Sequence, residues 1–201
     1  GLKGLYQQNI YFGKGQARVT CADPSVEIRY TTDGTVPDSK AQLYSQPLTV
    51  TQPTNFCFRA FGKDGNMGEA IHATFAPATY HEATAGPQKP VQGLNATWYD
   101  YTGPSCAGIT TAPLKATYHT HSVVIPKEVK GNIGLVITGF IYVPADGAYG
   151  FVLTSDDGSL LRIDGQVAVD NDGEHSTIQR SAQVALRKGY HTINVQYFDH
   201  N

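Results

Sequence analysis

The chain has 201 residues, a formal net charge of −2 at pH 7 and only 16% charged residues. Its 21 glycines and 11 prolines are spread along the whole length, and because both residues interrupt helices, long helical bundles and coiled coils are excluded. The charge provides no basic field that could hold nucleic acid, and no apolar run approaches the roughly 18 residues that span a membrane. We therefore expect neither a nucleic-acid partner nor a membrane span.

The first 77 residues have the pattern of short strands separated by turns. Residues 26–30 alternate between apolar and polar side chains, which is typical of a half-buried strand. The dipeptide Asp33-Gly34 is a strong turn signal, and Phe56 and Phe58 share one face of a further alternating segment. Several strands in about 75 residues fit a small β-sandwich. The predicted strands are 17–21, 26–30, 55–61 and 70–75.

A polar segment over residues 78–92 separates the two halves of the chain. It contains two prolines and one glycine and follows neither hydrophobic period, as is typical of a linker. The halves also differ in charge, because residues 1–77 hold seven bases and six acids whereas residues 78–201 hold eight bases and eleven acids. We therefore predict two domains, over 1–77 and 93–201, joined by a linker over 78–92.

The second half also consists of strand patterns, and some of these are longer. Residues 144–147 and 155–158 are predicted turns, and Asp164-Gly165 is the signal for a two-residue hairpin. No stretch has the alternation of strand and helix that builds a nucleotide-binding parallel sheet. Both halves are therefore predicted to be all-β. The predicted strands of the second half are 96–99, 134–143, 148–154, 159–163, 166–169 and 190–197.

Six acidic residues fall between positions 156 and 174, with Arg162 as the only base among them. Two interpretations stay open, because hairpin turns demand Asp, Asn and Gly, and clustered carboxylates suit a hard cation such as Ca²⁺, which takes about six to eight oxygen ligands. An EF-hand is excluded, since residues 170–174 lack the glycine position and the flanking helices that it needs. The six acidic residues are Asp156, Asp157, Asp164, Asp170, Asp172 and Glu174.

None of the polar patterns builds a catalytic centre. Asp156 and Asp157 are adjacent, so on a regular strand their side chains would point to opposite faces, whereas a glycosidase acid and base must flank one bond. Neither the nucleophile elbow of hydrolases nor the paired-histidine motif of metalloproteases occurs. We therefore expect this chain to carry no catalytic residues of its own.

Cysteine, histidine and aromatic residues give weaker signals. The three cysteines are odd in number and lack the spacing of a zinc site, although Cys21 and Cys57 could bridge two strands. His119 and His121 lie on one face of a possible strand, a spacing compatible with metal binding. Aromatic side chains in the second half suit either core packing or stacking on the apolar faces of sugar rings. They are Trp98, Tyr99, Tyr101, Tyr142, Tyr149, Tyr190 and Tyr197.

Residues 30–37, Tyr-Thr-Thr-Asp-Gly-Thr-Val-Pro, are followed by Leu-Tyr at 43–44 and Gln-Pro-Leu at 46–48. This order closely resembles the C-terminal domain of chitobiases and β-hexosaminidases, over about residues 10–75. The resemblance implies an immunoglobulin-like β-sandwich, which accompanies a catalytic barrel in that family and carries no catalytic residues itself.

Residues 155–158, Ser-Asp-Asp-Gly, precede Ile-Asp-Gly at 163–165 and a Val-Asp-Asn-Asp-Gly-Glu-His run at 169–175. Over nearly all of 93–201 the chain resembles the protective-antigen-type domain, which bacterial toxins, fungal flocculin adhesins and many glycosidases share. The resemblance implies a larger antiparallel β-sandwich or barrel. The closing strand of that family would follow residue 201, so we expect it to be missing from this chain.

In adhesins of this family a pair of aspartates holds Ca²⁺, which in turn binds sugar hydroxyls. The matching positions here are Asp156 and Asp157. The resemblance also implies a further ligand loop, at Asp199, His200 and Asn201.

Together the two resemblances imply a non-catalytic accessory and carbohydrate-binding region of a secreted glycoside hydrolase, with a β-N-acetylhexosaminidase as the parent. Glycan would bind at Asp156, Asp157, Asn171 and His175, and Ca²⁺ would be held by Asp156, Asp157 and Asp199. The expected partners are the glycan and the catalytic domain of the same parent chain, in a secreted, periplasmic or cell-surface location. A structural spacer without its own ligand and a cell-surface adhesin module are the alternatives. Because the chain begins with Gly rather than Met, we expect it to be a piece of a longer protein.

Overall fold

The computed structural model describes residues 1–200, and nearly all of the regular structure is β-strand. The described residues form seventeen strands and one short 3-10 helix, over Cys106–Thr111. The all-β class predicted from the sequence is therefore confirmed. No helix in this part of the chain has the length and apolar character to cross a membrane. Contacts between residues divide the chain into two compact units, with the boundary between Thr79 and Tyr80.

The first unit contains nine strands: β1 (Leu2–Lys3), β2 (Gln8–Tyr11), β3 (Gly15–Ala17), β4 (Thr20–Cys21), β5 (Glu27–Thr31), β6 (Gln42–Leu43), β7 (Leu48–Val50), β8 (Thr54–Phe61) and β9 (Ile71–Pro77). Within this unit β2, β9, β8, β5 and β6 are neighbours in one sheet. β2 runs parallel to β9, whereas the other pairs of this sheet are antiparallel. β3 pairs with β7, and β1 pairs with β4.

Aromatic side chains of β8 build the core of the first unit. Phe56 and Phe58 are buried, and their ring centroids lie 5.4 Å apart. Phe75 of β9 meets Phe56 edge to face, with a centroid distance of 5.6 Å. Such aromatic pairs add about 0.5–1.5 kcal/mol to the free energy gained from burial alone. The strand predicted over 55–61 is confirmed, with the inward face that its alternation indicated.

The strand predicted over 17–21 is wrong in one respect. β3 ends at Ala17 and β4 begins at Thr20, so the predicted strand is broken between them. The backbone N–H of the buried Val19 donates a hydrogen bond to the hydroxyl of Tyr44, at 2.9 Å. A side chain from a distant part of the chain therefore replaces a strand partner at this point.

The second unit contains eight strands: β10 (Leu94–Tyr99), β11 (Leu114–Thr120), β12 (Ile133–Val143), β13 (Gly147–Ser155), β14 (Ser159–Ile163), β15 (Gln166–Asn171), β16 (Ile178–Leu186) and β17 (Gly189–Asp199). Six of them lie side by side in the order β11-β10-β12-β17-β14-β15. β13 pairs along its whole length with β16. All of these pairs are antiparallel.

The core of the second unit lies between its two layers of strands. Leu135 and Ile163 come from the six-stranded sheet, and Ala182 and Leu186 come from β16. All four are buried in the same hydrophobic cluster. Because two sheets enclose one core, this unit is a β-sandwich.

The segment that follows Tyr80 contacts strands of the second unit. The backbone N–H of His81 donates to the carbonyl oxygen of Ala185 at 2.9 Å, and that of Thr84 donates to the carbonyl oxygen of Tyr190 at 2.9 Å. The first part of the predicted linker is therefore held by β16 and β17. The domain bounds drawn from the sequence stay predictions.

A two-residue turn joins β14 to β15. Asp164 and Gly165 have φ values of +50° and +78°, and two consecutive positive φ angles define a type I′ turn. The Asp164 carboxylate accepts hydrogen bonds from the backbone N–H of Thr192 at 3.0 Å, from Nδ1 of His191 at 2.6 Å and from Nδ1 of His81 at 3.2 Å. His191 is fully buried. The hairpin predicted from the Asp-Gly dipeptide is confirmed, and its carboxylate fastens the turn to β17.

We expect Asp164→Ala to lower the free energy of unfolding by about 3 kcal/mol, since it leaves the buried His191 and the Thr192 N–H without their acceptor and places a Cβ residue at a positive φ. Asp164→Asn should cost less, because Asn tolerates this backbone conformation and keeps an acceptor oxygen. Urea unfolding of the two variants and the wild type measures the difference. Equal stability of Asp164→Ala and the wild type would contradict this role for the carboxylate.

Candidate functional site

The acidic turn, defined as residues 156–158, connects β13 to β14. Its Asp156–Asp157 peptide bond is cis. The Asp157 carboxylate accepts the backbone N–H of His175 on Oδ1 at 3.1 Å and the backbone N–H of His200 on Oδ2 at 3.2 Å. Both of its oxygens are therefore fixed in position by two separate segments of chain.

Asp156 lies on the open side of the acidic turn. Its side chain is exposed, and its Oδ2 accepts a long hydrogen bond from the Thr177 hydroxyl, at 3.4 Å. Its carbonyl oxygen accepts a hydrogen bond from the Tyr197 hydroxyl, at 2.8 Å. The backbone of Asp156 is thus anchored to β17, while its carboxylate faces solvent.

A third carboxylate, that of Asp199 at the end of β17, lies within electrostatic range of the acidic turn. Partial burial raises the pKa of Asp199 above its usual value, and the negative charges of Asp157 and Asp156 raise it further. Burial and the neighbouring Asp199 charge also raise the pKa of Tyr197. Three of the residues predicted as site residues therefore lie at the same end of the second unit, within electrostatic range of one another.

The predicted site residue Asn171 lies beneath the acidic turn. Its side chain is 3% exposed, and its amide Nδ2 donates to the hydroxyl of Ser155 at 2.9 Å and to the carbonyl oxygen of Ile178 at 3.2 Å. The hydroxyls of Ser155 and Ser159 are 2.7 Å apart. Asn171 and the two serines therefore join both ends of the acidic turn, and the Asn171 amide does not face solvent.

The predicted site residue His175 is half-buried beside the acidic turn. Its ring nitrogens face two carbonyl oxygens, that of Asn171 at 2.9 Å and that of Ser176 at 2.8 Å. The hydrogen bond to the Asn171 carbonyl is the main reason why the pKa of His175 is raised, and the negative charges of Asp157 and Asp156 raise it further. The ring therefore closes the 171–176 loop and places positive charge near the two aspartates.

The acidic cluster read from the sequence is dispersed in the fold. Asp164 lies at the opposite end of β14 from the acidic turn, because the five-residue strand separates them by about 16 Å at roughly 3.3 Å per residue. Asp172 accepts the backbone N–H of the buried Cys106 at 2.8 Å. Asp170 accepts the backbone N–H of Asp172 at 3.0 Å. These three carboxylates serve the turns and loops that hold them, so the turn interpretation describes this part of the cluster. The cation interpretation stays a prediction for Asp156 and Asp157.

In the described part of the chain, the cysteines and the histidine pair do not form the sites that their spacing allowed. All three cysteines are free thiols, so the possible Cys21–Cys57 bridge is wrong. The rings of His119 and His121 lie 5.3 Å apart at a steep angle. Within residues 1–200 no three His, Cys, Asp or Glu side chains are grouped closely enough to hold a metal ion between them. Asn201, predicted as part of a ligand loop, lies outside the described residues.

The sequence of the second unit matches a known family. The family described as PA14 domain, which is the protective-antigen-type domain, matches residues 90–201, more than half of the chain. The chain belongs to this family. The family described as Chitobiase/beta-hexosaminidase C-terminal domain matches residues 6–72. Both resemblances drawn from the sequence are therefore confirmed.

Individual relatives agree with these matches. A curated beta-hexosaminidase from Porphyromonas gingivalis (strain ATCC BAA-308 / W83) is 25% identical over 189 residues, which cover 90% of this chain and 24% of that protein. The chain thus spans about a quarter of the length of this relative.

Two solved structures are similar to parts of the chain. A PA14 domain of an antifreeze protein is 18% identical with a TM-score of 0.45, and the match covers 59% of this chain and 82% of that one. An epithelial adhesin A domain from Candida glabrata, in complex with beta-lactose, is 14% identical with a TM-score of 0.47 and coverages of 62% and 82%.

Gly158 is required for the close packing of the acidic turn. A Cβ atom at this position would lie 2.4 Å from the ring of the buried Phe198 and 2.8 Å from the backbone of Gly173. We expect Gly158→Ala to lower the free energy of unfolding by about 2 kcal/mol, as overpacking in a core does. The control is Gly147→Ala at the other end of β13, where the nearest atom to the added Cβ is 4.0 Å away. Thermal and urea unfolding, followed by circular dichroism, should separate the two variants; equal stability would contradict the packing argument.

The raised pKa of Asp199 predicts a pH-dependent effect on stability. A carboxyl group with a raised pKa binds more protons in the native than in the unfolded state, so the fold loses stability as pH rises from the ordinary range of Asp towards the raised pKa. In EDTA at pH 7 we expect Asp199→Asn to unfold at a higher urea concentration than the wild type. The difference should vanish below about pH 3, where the wild-type carboxyl is protonated in both states.

Asp146 provides a control of opposite sign for this measurement. The backbone N–H of Lys188 and the guanidinium of Arg187 lower the pKa of Asp146. Its ionised form therefore stabilises the fold above the ordinary pKa of Asp, and this contribution is lost as pH falls. Asp146→Asn should unfold at a lower urea concentration than the wild type at pH 7. A fall in stability for Asp199→Asn as well would contradict the electrostatic assignment at the acidic turn.

Proposed function

We propose that this chain is a non-catalytic accessory region that binds carbohydrate, and that the second unit binds glycan at the acidic turn together with Ca²⁺. The proposal rests on how the carboxylates of Asp156 and Asp157 are positioned in a PA14-family domain. Two backbone N–H groups fix the Asp157 carboxylate, and the neighbouring Asp156 carboxylate is exposed. A fixed acceptor beside a free one is an arrangement that can orient a cation and the hydroxyls of a sugar.

The chemistry of the donor set fits a hard cation. The groups at the acidic turn offer oxygen ligands, and Ca²⁺ takes carboxylate, carbonyl and water oxygens in a flexible geometry. Burial is the main cause that raises the pKa of Asp199, and repulsion from Asp157 and Asp156 adds to it; a cation bound at the acidic turn would relieve this repulsion. Asp156 and Asp157 would hold the ion directly. Asp199 would join them only after its side chain moves, because no three such side chains are grouped closely enough within residues 1–200. When bound, Ca²⁺ would supply coordination positions for neighbouring sugar hydroxyls.

The other predicted site residues take different parts in this proposal. The Asn171 amide is buried and bonded to Ser155, so its part is to hold the acidic turn in shape. His175 closes the adjacent loop through its ring nitrogens, and its raised pKa favours a positive charge. That charge offsets part of the negative potential when no cation is bound. Direct sugar contacts are therefore assigned to the exposed carboxylate of Asp156 and to the rim around it.

The relationship to a beta-hexosaminidase supports a proposal for the parent protein. The match covers 90% of this chain but 24% of the relative, which supports the proposal that the chain is an accessory part of such an enzyme. We infer that the parent is a glycoside hydrolase of the β-N-acetylhexosaminidase class, exported to the periplasm, the cell surface or the medium. Weak glycan binding by the accessory region would raise the local concentration of substrate at the catalytic domain of the same chain.

Calorimetric titration and a glycan array, each with Ca²⁺ and with EDTA, test the cation-dependent site. We expect glycan binding only with Ca²⁺, and an affinity at least 10-fold lower for Asp156→Asn and Asp157→Asn because each removes a charged ligand. Ca²⁺ should also raise the melting temperature of the wild type by mass action. Asp146→Asn, at the other end of β13, is the matched control and should retain binding.

Two outcomes would contradict the proposal. Absence of glycan binding in both conditions, with no change in melting temperature on adding Ca²⁺, would favour a structural spacer. Glycan binding that is equal with Ca²⁺ and EDTA, and unaffected by Asp157→Asn, would place the sugar elsewhere on the chain.

A further inference from the structure

The first unit contains a cleft that the proposed function does not use. It is formed by β5, β8 and the segments 36–39 and 62–67, and its volume is about 710 Å³. We call it the β5–β8 cleft. Pockets for small molecules have volumes of about 300–1,000 Å³, so this cleft has room for a ligand of one or two sugar rings.

Two arginines face each other across the floor of the cleft. Arg29 of β5 and Arg59 of β8 are directly paired in the antiparallel register, and both line the cleft. Side chains at directly opposite positions share one face of the sheet, and like charges there are destabilising. The Glu27 carboxylate offsets this repulsion on the Arg29 side, and an anionic ligand would offset it on the Arg59 side.

The positions of the two guanidinium groups are fixed by backbone carbonyls. Nη1 of Arg29 donates to the carbonyl oxygen of Ala41 at 2.7 Å, and Nε of Arg59 donates to that of Gly68 at 2.8 Å. Lys63 lines the same cleft. The positive groups are thus partly ordered before any ligand arrives, which lowers the entropy cost of binding.

Acidic groups of the cleft leave Arg59 with excess positive charge. Glu27 forms an ion pair with Nη2 of Arg29 at 2.8 Å, and Asp38 accepts the backbone N–H of Lys40 at 2.8 Å. Among residues 1–200, no carboxylate forms an ion pair with Arg59. Three bases and two acids line the cleft, and a further carboxylate, that of Asp64, lies beside Gly62 at its rim and accepts the backbone N–H of Asn66 at 3.1 Å. The positive charge available to a ligand is therefore that of the Arg59 guanidinium, which has no carboxylate partner within residues 1–200, and not a net charge of the whole cleft.

Apolar surface lies next to these cations. Phe61 is half-buried in the cleft, while Met67 and Val36 are 58% and 52% exposed. A ligand that fits must therefore combine an anionic group with an apolar face. A pyranose ring that carries a carboxylate or a sulfate ester has both features.

We propose that the β5–β8 cleft is a second binding site, specific for anionic saccharides. The guanidinium fork of Arg59 binds the carboxylate or sulfate, Lys63 adds charge, and the sugar ring lies against Phe61 and Met67. Binding of an anion is inferred from the residues of the cleft alone. That the anion is a saccharide follows from the proposed carbohydrate-binding function. The site uses no residue of the acidic turn and needs no Ca²⁺.

NMR titration of the full chain in EDTA tests this site with three probes: glucuronate, glucose 6-sulfate and uncharged glucose. We expect saturable shifts of the Arg59 Nε–H and of backbone amides over 59–67 with one or both anions, but none with glucose. Affinity should fall as NaCl is added, because the site is partly exposed to solvent. The two anionic probes distinguish a carboxylate ligand from a sulfate ligand.

Variants assign the effect to the cleft. Arg59→Gln should weaken binding of the anion at least 10-fold, while Arg18→Gln, which removes a charge outside the cleft, should change it less than 2-fold. Asp157→Asn should have no effect, which separates this site from the one at the acidic turn. Arg59→Gln removes the charge opposite Arg29 but also the hydrogen bond to the Gly68 carbonyl, so a melting curve of this variant first shows that it is folded.

Three results would overturn the proposed anion site, and a fourth would overturn its assignment to saccharides. The first is the absence of saturable shifts with either anion in the wild type, which needs no variant. The second is equal binding of glucose and the anions. The third is anion binding by folded Arg59→Gln with unchanged affinity. Acetate and sulfate alone, as added probes, show whether the sugar ring contributes; affinities equal to those of the sugar acids would overturn the saccharide assignment.

Discussion

The pairing of β17 with both β12 and β14 is the constraint on which the second unit depends. All eleven residues of β17 are matched to β12, over about 35 Å at roughly 3.3 Å per residue. Near one end, His191 and Thr192 hold the Asp164 carboxylate. At the other end, the Tyr197 hydroxyl and the His200 N–H hold the acidic turn. One strand therefore sets the geometry at both ends of the sandwich, and a shift in its register would displace both.

The two ends of this strand differ in how their negative charge is compensated. The Asp164 carboxylate is shared by two imidazole groups and a backbone N–H, so its acceptor capacity is used within the fold. At the acidic turn, carboxylates approach one another, and His175 is half-buried with its ring nitrogens turned to backbone carbonyls. The exposed Asp156 carboxylate, whose charge His175 offsets only in part, is available to a ligand, whereas the hydrogen-bonded carboxylate of the half-buried Asp164 stabilises the fold. This is why function is assigned to one end and stability to the other.

Local patterns predicted what depends on neighbours in sequence, and they failed where distant segments meet. The Asp164-Gly165 turn follows from the backbone preferences of two residues, and the inward face of β8 follows from alternation. The break at Val19 depends on the Tyr44 hydroxyl, 25 residues away, and no local pattern reports it. Burial of Asn171 likewise depends on Ser155 and Ser159, which approach from other strands. The two serines that flank Asp-Asp-Gly were a visible signal for this clamp, but only the fold shows that their hydroxyls meet. The position of Arg29 opposite Arg59 depends on the register of β5 against β8, which no local sequence pattern predicts.

The near-zero net charge of the chain hides two units of opposite character. Residues 1–77 have one more base than acid, and residues 78–201 have three more acids than bases. In the first unit the β5–β8 cleft contains Arg59, which forms no ion pair within residues 1–200, and in the second unit the acidic turn contains Asp156 and Asp157. An anionic sugar can bind a cationic cleft directly, whereas a neutral sugar offers only hydroxyl dipoles, which a carboxylate site binds far more strongly through a bridging cation. If both sites operate, the two units recognise different sugars through the same principle, since in each case the ligand or ion neutralises a charge that the fold leaves unpaired.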